Sequence, residues 1–450
     1  VTSVAVIGGG IAGLVAAYRL RHSLGDAATI TVIEASDRVG GKLRTESLAG
    51  GSVDVGAEAF IARRPEVPAL LTELGLADQL VHPAGLRPLV FAGGSLHALP
   101  AATLMGVPSG PDSMVGLVDD ATIARITDEP NSALTWNRDT DVDVASLVAA
   151  RFGEQVVARS VDPLLGGVYS GRADTIGIRA ALPTLAKALD AGAPNLTQAV
   201  RDAMPQPSAG PVFGGIRDGY GVLLDALVAA ADASVLTGTA VESLERVGDR
   251  WSVAPIGTFD AVVLAVPAPG LASLLGDSAP DAAGAASRIA VAASALVTLA
   301  FPADTALPQH SGVLIGSGEP LHAKAFTLSS NKWPHLRERE AVLVRASFGR
   351  FGDDSTVRWP DAELVSAARA DLSTVLGVTA EPVGSVVQRW WTGLPQYGPG
   401  HLDRVRAIED GVARLDGLEV AGGFLHGVGV PACVASGTAA AQRLAARVAP

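Results

Sequence analysis

Gly8-x-Gly10-x-x-Gly13, within VAVIGGGIAGLVAAYRL (residues 4–20), is the first set of residues in this chain whose types and spacing can do chemistry. Gly8 permits a tight turn, Gly10 lets the backbone approach a pyrophosphate, and Gly13 lets a helix close on a strand, with Gly9, Ile11 and Ala12 completing the loop. Glu34 follows Gly13 by twenty-one residues, where a carboxylate accepts hydrogen bonds from ribose hydroxyls. Together these residues are suited to binding a dinucleotide.

The elements needed to position them are present. SVAVIG is a short apolar, largely β-branched run suited to a buried parallel strand, and LVAAYRLRHSL has helical apolar spacing. ATITVIE supplies a second strand ending in Glu34. The helix between them offers its free N–H groups and positive dipole end to phosphates. A targeting segment is the competing reading, because residues 1–18 are uncharged. It lacks a basic leader, and three consecutive glycines weaken a membrane helix.

A chain of 450 residues with 48% apolar and 18% charged residues predicts several globular lobes rather than disorder. A net charge of −12 argues against a nucleic-acid partner. One cysteine, Cys433, allows no internal disulfide and no CxxC site, and the eight histidines form no HExxH, so no metal is expected. The uncharged runs 261–276 and 289–301 are broken by Pro and Gly or too short to span a bilayer. The expectation is a soluble, cytoplasmic protein whose membrane contact is at most peripheral, at the inner face of the cell membrane.

Two further stretches bear on which dinucleotide is bound. After Glu34 comes ASDRVGGKLRT, where Gly40 and Gly41 remove side chains from a path beside a flat ligand and Lys42 and Arg44 add positive charge; an ordinary glycine hairpin is the plainer reading. Near the end, GLEVAGGFLHGVGVPACVASG reads as a buried strand (418–421), a glycine-rich loop and a helix starting near Pro431. Its Gly427-x-Gly429-x-x-Ala432 aims a second helix N-terminus at a ligand already held by the first motif. Beside a flavin ring, that dipole favours negative charge. No other GxGxxG follows a strand, so a separate NAD(P)H domain is not expected.

With PLLGGVYSGRADTIGIRAALPTL (163–185), HAKAFTLSSNKWP (322–334), RWWTGLPQYGPGH (389–401) and GVGVPACVASG (427–437), the chain resembles the FAD-dependent amine oxidase and protoporphyrinogen oxidase superfamily. Within it the chain is similar to the porphyrinogen oxidases over essentially its whole length. The resemblance implies FAD contacts at Gly8 to Gly13, Glu34, Ala35, Lys42, Gly56, Ala57, Glu58, Ala59, Val241, Trp390, Val428, Gly429 and Val430. Superfamily members that hold FAD covalently use a cysteine upstream of the C-terminal segment; Cys433 lies inside that segment, so non-covalent FAD is expected. The implied fold is α/β, a discontinuous Rossmann-like FAD-binding domain (1–62, 210–270 and 405–450) with a mixed-sheet α+β substrate domain (63–90 and 271–404) and a largely helical lobe (91–209). Two strands with a turn at Gly248-Asp249, and a strand in FDAVVLAVPAP returning to the nucleotide domain, are read directly from the sequence.

The implied reaction is the six-electron oxidation of a porphyrinogen in haem biosynthesis. The substrate is coproporphyrinogen III in short soluble bacterial members and protoporphyrinogen IX in others, with O2 as acceptor, H2O2 as product and a downstream chelatase as a possible partner. FAD would carry the redox chemistry, which explains why no Ser-His-Asp set or carboxylate dyad stands out. The resemblance offers the backbone carbonyl of Gly167 as catalytic partner to the pyrrole N–H groups. Tyr169 either lines that pocket or packs in the core. Arg63 and Arg64 either meet substrate propionates or form a solvated surface pair, with Arg87, Arg172 and Arg179 behind them. Lys324 and Lys332 fall in a family motif without an assigned role, and His401 reads as structural. An amine oxidase, a carotenoid desaturase and a non-catalytic porphyrin-binding flavoprotein are the competing readings.

Overall fold

A computed structural model describes residues 2–206 and 210–448; the outermost parts of the expected segments, at 1, 207–209 and 449–450, lie outside it. The elements that build the site are, in chain order, β1 (Thr2–Ile7), α1 (Ile11–Leu24), β2 (Ala28–Ile33), α2 (Asp162–Tyr169), β3 (Ser234–Leu236), β4 (Ala261–Leu264), β5 (Val291–Pro302), β6 (Ala341–Phe348), β7 (Gly384–Pro395), β8 (Leu418–Val420) and α3 (Val430–Val448).

β3, β2, β1, β4 and β8 form, in that order, a five-stranded parallel sheet. Val4 to Ile7 and Ala261 to Leu264 are buried on both faces, which is why both strands are unbroken apolar runs. Leu236 is in register with Ile33, Ile33 with Ile7, Ile7 with Leu264, and Leu264 with Val420. Their following loops therefore leave one edge together. The chain builds outward from β1 through β2 to β3 and then crosses to β4, so the direction reverses between β1 and β4. That crevice is where open α/β sheets bind ligands.

The second sheet has seven strands: β7, β5, β6, then Ala325–Thr327, Gly312–Ile315, Leu89–Ala92 and Ser95–Ala98. It is mixed, because Gly312–Ile315 runs parallel to Leu89–Ala92 while the other pairs are antiparallel. A register break between Ala292 and Ser294 bends β5 where Ser294 faces Trp390. A separate hydrophobic core gathers helical segments between Val144 and Ala203, together with Tyr397. Residues 91–206 also contain the short strands Ser95–Ala98, Thr103–Leu104 and Val107–Pro108.

Three expected boundaries fall inside elements. Position 270 lies within the helix Ala268–Leu275, 405 within His401–Ala413, and 90 within Leu89–Ala92. Helices Ala268–Leu275 and Pro280–Ser287 share one core with Ala5, Ile7 and Leu264, so packing joins residues 268–287 to the parallel sheet. The hairpin at Gly248-Asp249 is present, with Val247 paired to Arg250. Among the described residues no helix is long and apolar enough to cross a membrane.

Candidate active site

The loop after β1 closes as its glycines require. Gly8 has φ +107°, and a Cβ on Gly13 would sit 1.9 Å from the Gly8 carbonyl oxygen. Gly10 faces open space: the only atom within 4 Å of its added Cβ is the Gly41 Cα, at 3.9 Å. Gly10 is the N-cap of α1, and neither a side-chain cap nor an acidic residue occupies the first turn. Free N–H groups and the dipole of a long helix thus point into space that a phosphate fits.

Glu34 leaves β2 at the same edge. Its Oε2 accepts from the Gly9 N–H at 2.7 Å and its Oε1 from the Ser36 N–H and hydroxyl at 2.8 and 2.7 Å. Oε2, which takes a single bond, keeps acceptor capacity for a ribose hydroxyl. The segment after β3 runs alongside, with Thr239 N–H bonded to the Glu34 carbonyl, and carries half-buried Val241 toward this edge.

Gly40 and Gly41 pack against the first loop: the Gly40 N–H donates to the Gly9 carbonyl, and a Cβ on Gly41 would lie 3.0 Å from the Gly10 Cα. The sequence reading missed Arg38, which straps this turn by donating to the carbonyls of Val39, Gly41 and Leu43 and lies over the Trp390 ring. A Cβ on Gly56 would be 2.0 Å from the Lys42 carbonyl oxygen and 3.2 Å from Trp390, while Trp390 Nε1 donates to the Val55 carbonyl. Lys42, Gly56 and Trp390, far apart in the chain, therefore share one wall.

Lys42 is exposed, yet desolvation lowers its ammonium pKa, partly offset by Cys433. A side chain that meets solvent while surrounded by protein lines a deep cleft. Cys433, in the first turn of α3, is its neighbour across that cleft; burial raises its thiol pKa to about 11. The loop Gly427–Gly429 precedes α3, whose first turn carries no acidic side chain. A Cβ on Gly437 would be 2.2 Å from the Ala12 carbonyl oxygen, so α3 lies directly against the first turn of α1.

Where the two sheets meet, Glu58 accepts from Ser329 Oγ at 2.8 Å and Lys332 Nζ at 3.0 Å, with Arg345 Nη1 at 3.6 Å. Burial alone would raise the Glu58 pKa, but Lys332 and Arg345 outweigh it and hold it at about 2. The Glu58 carboxylate is thus committed to an interlobe ion cluster, which gives Lys332 a role and leaves the backbone of 56–59 as the part of this segment that carries the expected FAD contact. Arg345 also donates to the Gly56 carbonyl at 2.6 Å.

Gly167 and Val168 are exposed in the last turn of α2, where carbonyls run out of helical partners. Tyr169 is 7% exposed and packs on Tyr397 with ring centroids 5.5 Å apart, so it belongs to the core instead of presenting an open ligand face. Burial raises its pKa to about 12. Arg63 is exposed and donates to the Gly210 carbonyl, and Arg64 pairs with Glu66. Arg172 pairs with Asp174; Arg179 is tied to Asp190 and lies over Trp136, within the helical lobe. Arg87 is exposed. His401 is buried, stacks on Tyr397 at 3.8 Å and shares a hydrogen bond with the Leu425 carbonyl, a packing position.

A dinucleotide cleft at the edge of a parallel sheet, closed by a second helix N-terminus and walled by a mixed sheet, defines a flavin-dependent oxidoreductase. The chain belongs to the flavin-containing amine oxidoreductase family, which it matches over residues 11–445, and its cofactor is FAD. It is 52% identical to a coproporphyrinogen III oxidase of Mycobacterium tuberculosis over 96% of this chain and 95% of the relative. It is 50% identical to one of Mycobacterium leprae over 99% of each. A crystal structure from Exiguobacterium, assigned as a protoporphyrinogen oxidase, superposes with a TM-score of 0.88 at 27% identity, covering 99% of both chains.

Proposed function

We propose that this protein oxidises coproporphyrinogen III to coproporphyrin III in haem biosynthesis. The observation that carries the reading is the 52% identity, across nearly the whole of both chains, to relatives bearing that activity in their name. The cleft supports it. The α1 N-terminus and Glu34 would hold the pyrophosphate and ribose, the Lys42–Gly56–Trp390 wall and the Val428–Val430 loop would flank the ring system, and the cofactor would be bound without a covalent link. When bound, FAD takes two electrons per turnover from the substrate and passes them to an acceptor.

The chain's own residues orient the macrocycle and handle its protons. Gly167 and its neighbours in the last turn of α2 would accept hydrogen bonds from pyrrole N–H groups, and the negative end of that helix stabilises positive charge developing on the ring. Protons released there reach solvent directly, because Gly167 and Val168 are exposed. Arg63 and Arg64 would meet propionates. Three turnovers remove six electrons and six protons, which three O2 take up as three H2O2. The product, a metal-free porphyrin, is what a chelatase consumes. Tyr169 and Tyr397 pack in a core instead of forming an open aromatic cage, which disfavours an amine substrate.

The test mixes the purified flavoprotein with coproporphyrinogen III and, separately, with protoporphyrinogen IX, following porphyrin fluorescence and oxygen uptake. Faster turnover of the first is expected. Preference for the second would reassign the substrate, and oxidation of neither with FAD bound would overturn the reading.

A further inference from the structure

Lys324 is one of only four lysines in a chain with thirty arginines, and it is 7% exposed. Its backbone is pinned within the mixed sheet: its N–H donates to the Ser347 carbonyl and its own carbonyl accepts from Ile315. Its ammonium donates to Ser170 Oγ at 2.5 Å and to the Gly349 carbonyl at 2.6 Å. Among the described residues no carboxylate lies within ion-pair distance of it; the charge that acts on it is that of Arg350, which itself feels Asp162 and Arg172.

Ser170 is the residue on which α2 ends. It holds the left-handed conformation at φ 49° and ψ 24°, uncommon and costly for a residue with a side chain. Three contacts from outside the helix enforce that turn. Lys324 grips the Ser170 side chain, the Phe351 N–H donates to the Ser170 carbonyl at 2.6 Å, and Gln396 Nε2 donates to the Tyr169 carbonyl at 2.8 Å. The other end of α2 is held as firmly: Asp162 accepts from the Ala173 N–H and Ser317 Oγ, and Ser317 accepts from Arg350. Just before α2 the helix widens into a π turn, Val157–Val161. A helix loosened at its start and clamped on both flanks has its last-turn carbonyls aimed by the clamps, not by helix continuity.

We propose that Lys324 is a positioning residue of the porphyrinogen site, reaching from the mixed sheet to lock the left-handed turn at Ser170 and thereby fix where the Gly167 carbonyl points. This rests on the substrate reading above. A methionine fills similar volume but leaves the Ser170 hydroxyl and Gly349 carbonyl without their donor.

The charge adds a signature that packing alone would not give. Burial, and then Arg350, lower the Lys324 pKa to about 7. A neutral amine still donates both hydrogen bonds. Loss of a hydride leaves the macrocycle positive, so an ammonium behind the turn opposes oxidation while a neutral amine does not. The wild-type turnover number should therefore rise as pH increases through about 7.

The test measures kcat and KM for coproporphyrinogen III from pH 5.5 to 8.5 in wild type, Lys324→Met and Ser170→Gly, with flavin content and thermal midpoint recorded for each. Lys324→Met is expected to keep its FAD, lose about tenfold or more in kcat with a smaller change in KM, and lose the rise near pH 7. Ser170→Gly keeps a residue at ease in the left-handed turn but removes one Nζ acceptor, so it should lose less and retain the rise; it serves alone if Lys324→Met does not fold. A Lys324→Met enzyme within twofold of wild-type kcat, or one that is slow but keeps the wild-type pH profile, overturns the proposal, as does Ser170→Gly with a flattened profile. A wild-type protein that oxidises no porphyrinogen fails the substrate reading, and the proposal falls with it.

Discussion

At the scale of single residues, the most constrained positions are those where an added atom has nowhere to go. Gly13 cannot carry a side chain, because its Cβ would lie 1.9 Å from the Gly8 carbonyl oxygen. Gly13→Ala should therefore open the loop and lower bound flavin about tenfold, equivalent to about 1.4 kcal/mol of binding; the ratio of flavin to protein absorbance after desalting measures it, and unchanged occupancy would refute it. Glu58 makes a different demand. Replacing it with Gln leaves buried Arg345 and half-buried Lys332 without their anion, at a cost of about 3 kcal/mol. Its folded pKa of about 2 lies below the reference 4.5, so its stabilisation is complete above about pH 4.5 and lost as pH falls toward 2. The gap in thermal midpoint between wild type and Glu58→Gln should thus be full at neutral pH and narrow steadily below pH 4.5. Gly13 was legible in the sequence because its motif is local. The partners of Glu58 were not, since Ser329 and Lys332 come from a short helix more than 270 positions away and Arg345 from a strand of the mixed sheet further on still.

Among the elements, the pair α1 and α3 shows what periodicity can and cannot reveal. Each helix is readable from its own apolar spacing, and the sequence placed each N-terminus beside a glycine loop. Their mutual approach depends on Gly437, whose Cβ would be 2.2 Å from the Ala12 carbonyl oxygen. Nothing in the local pattern distinguishes that glycine from a tolerated helical one. Gly437→Ala should force the helices apart, destabilise the fold by about 2 kcal/mol and loosen FAD, because the two N-termini no longer converge; denaturant unfolding with and without excess FAD would show both effects. The expected boundaries that fall inside elements have a related origin. The expected boundary at 270 assigns residues 271–287 to the substrate lobe, yet the helices Ala268–Leu275 and Pro280–Ser287 turn their apolar faces to Ala5, Ile7 and Leu264. Lobe membership is decided by tertiary packing, which composition does not encode. The lysines show the same limit: against thirty arginines, three of the four lysines occupy the cleft wall, the interlobe ion cluster and the α2 clamp, which their scarcity in the composition does not reveal.

For the whole molecule, the −12 net charge has a kinetic consequence. Coproporphyrinogen III carries four propionates and protoporphyrinogen IX two, so the protein's long-range field should repel the first more strongly. Placed arginines can bind propionates only at short range, and the exposed candidates Arg64 and Arg172 already share their charge with Glu66 and Asp174. The Debye length falls from about 30 Å at 0.01 M salt to about 8 Å at 0.15 M, which screens the global field while leaving close contacts largely intact. Over that range kcat/KM should rise a few fold, about twofold to fivefold, for coproporphyrinogen III and by less for protoporphyrinogen IX. A fall with salt for the tetracarboxylate would mean that local cations outweigh the acidic rest of the surface. In that case Arg63→Ala should flatten the slope, because it takes one of those local charges away from a chain whose overall field is acidic.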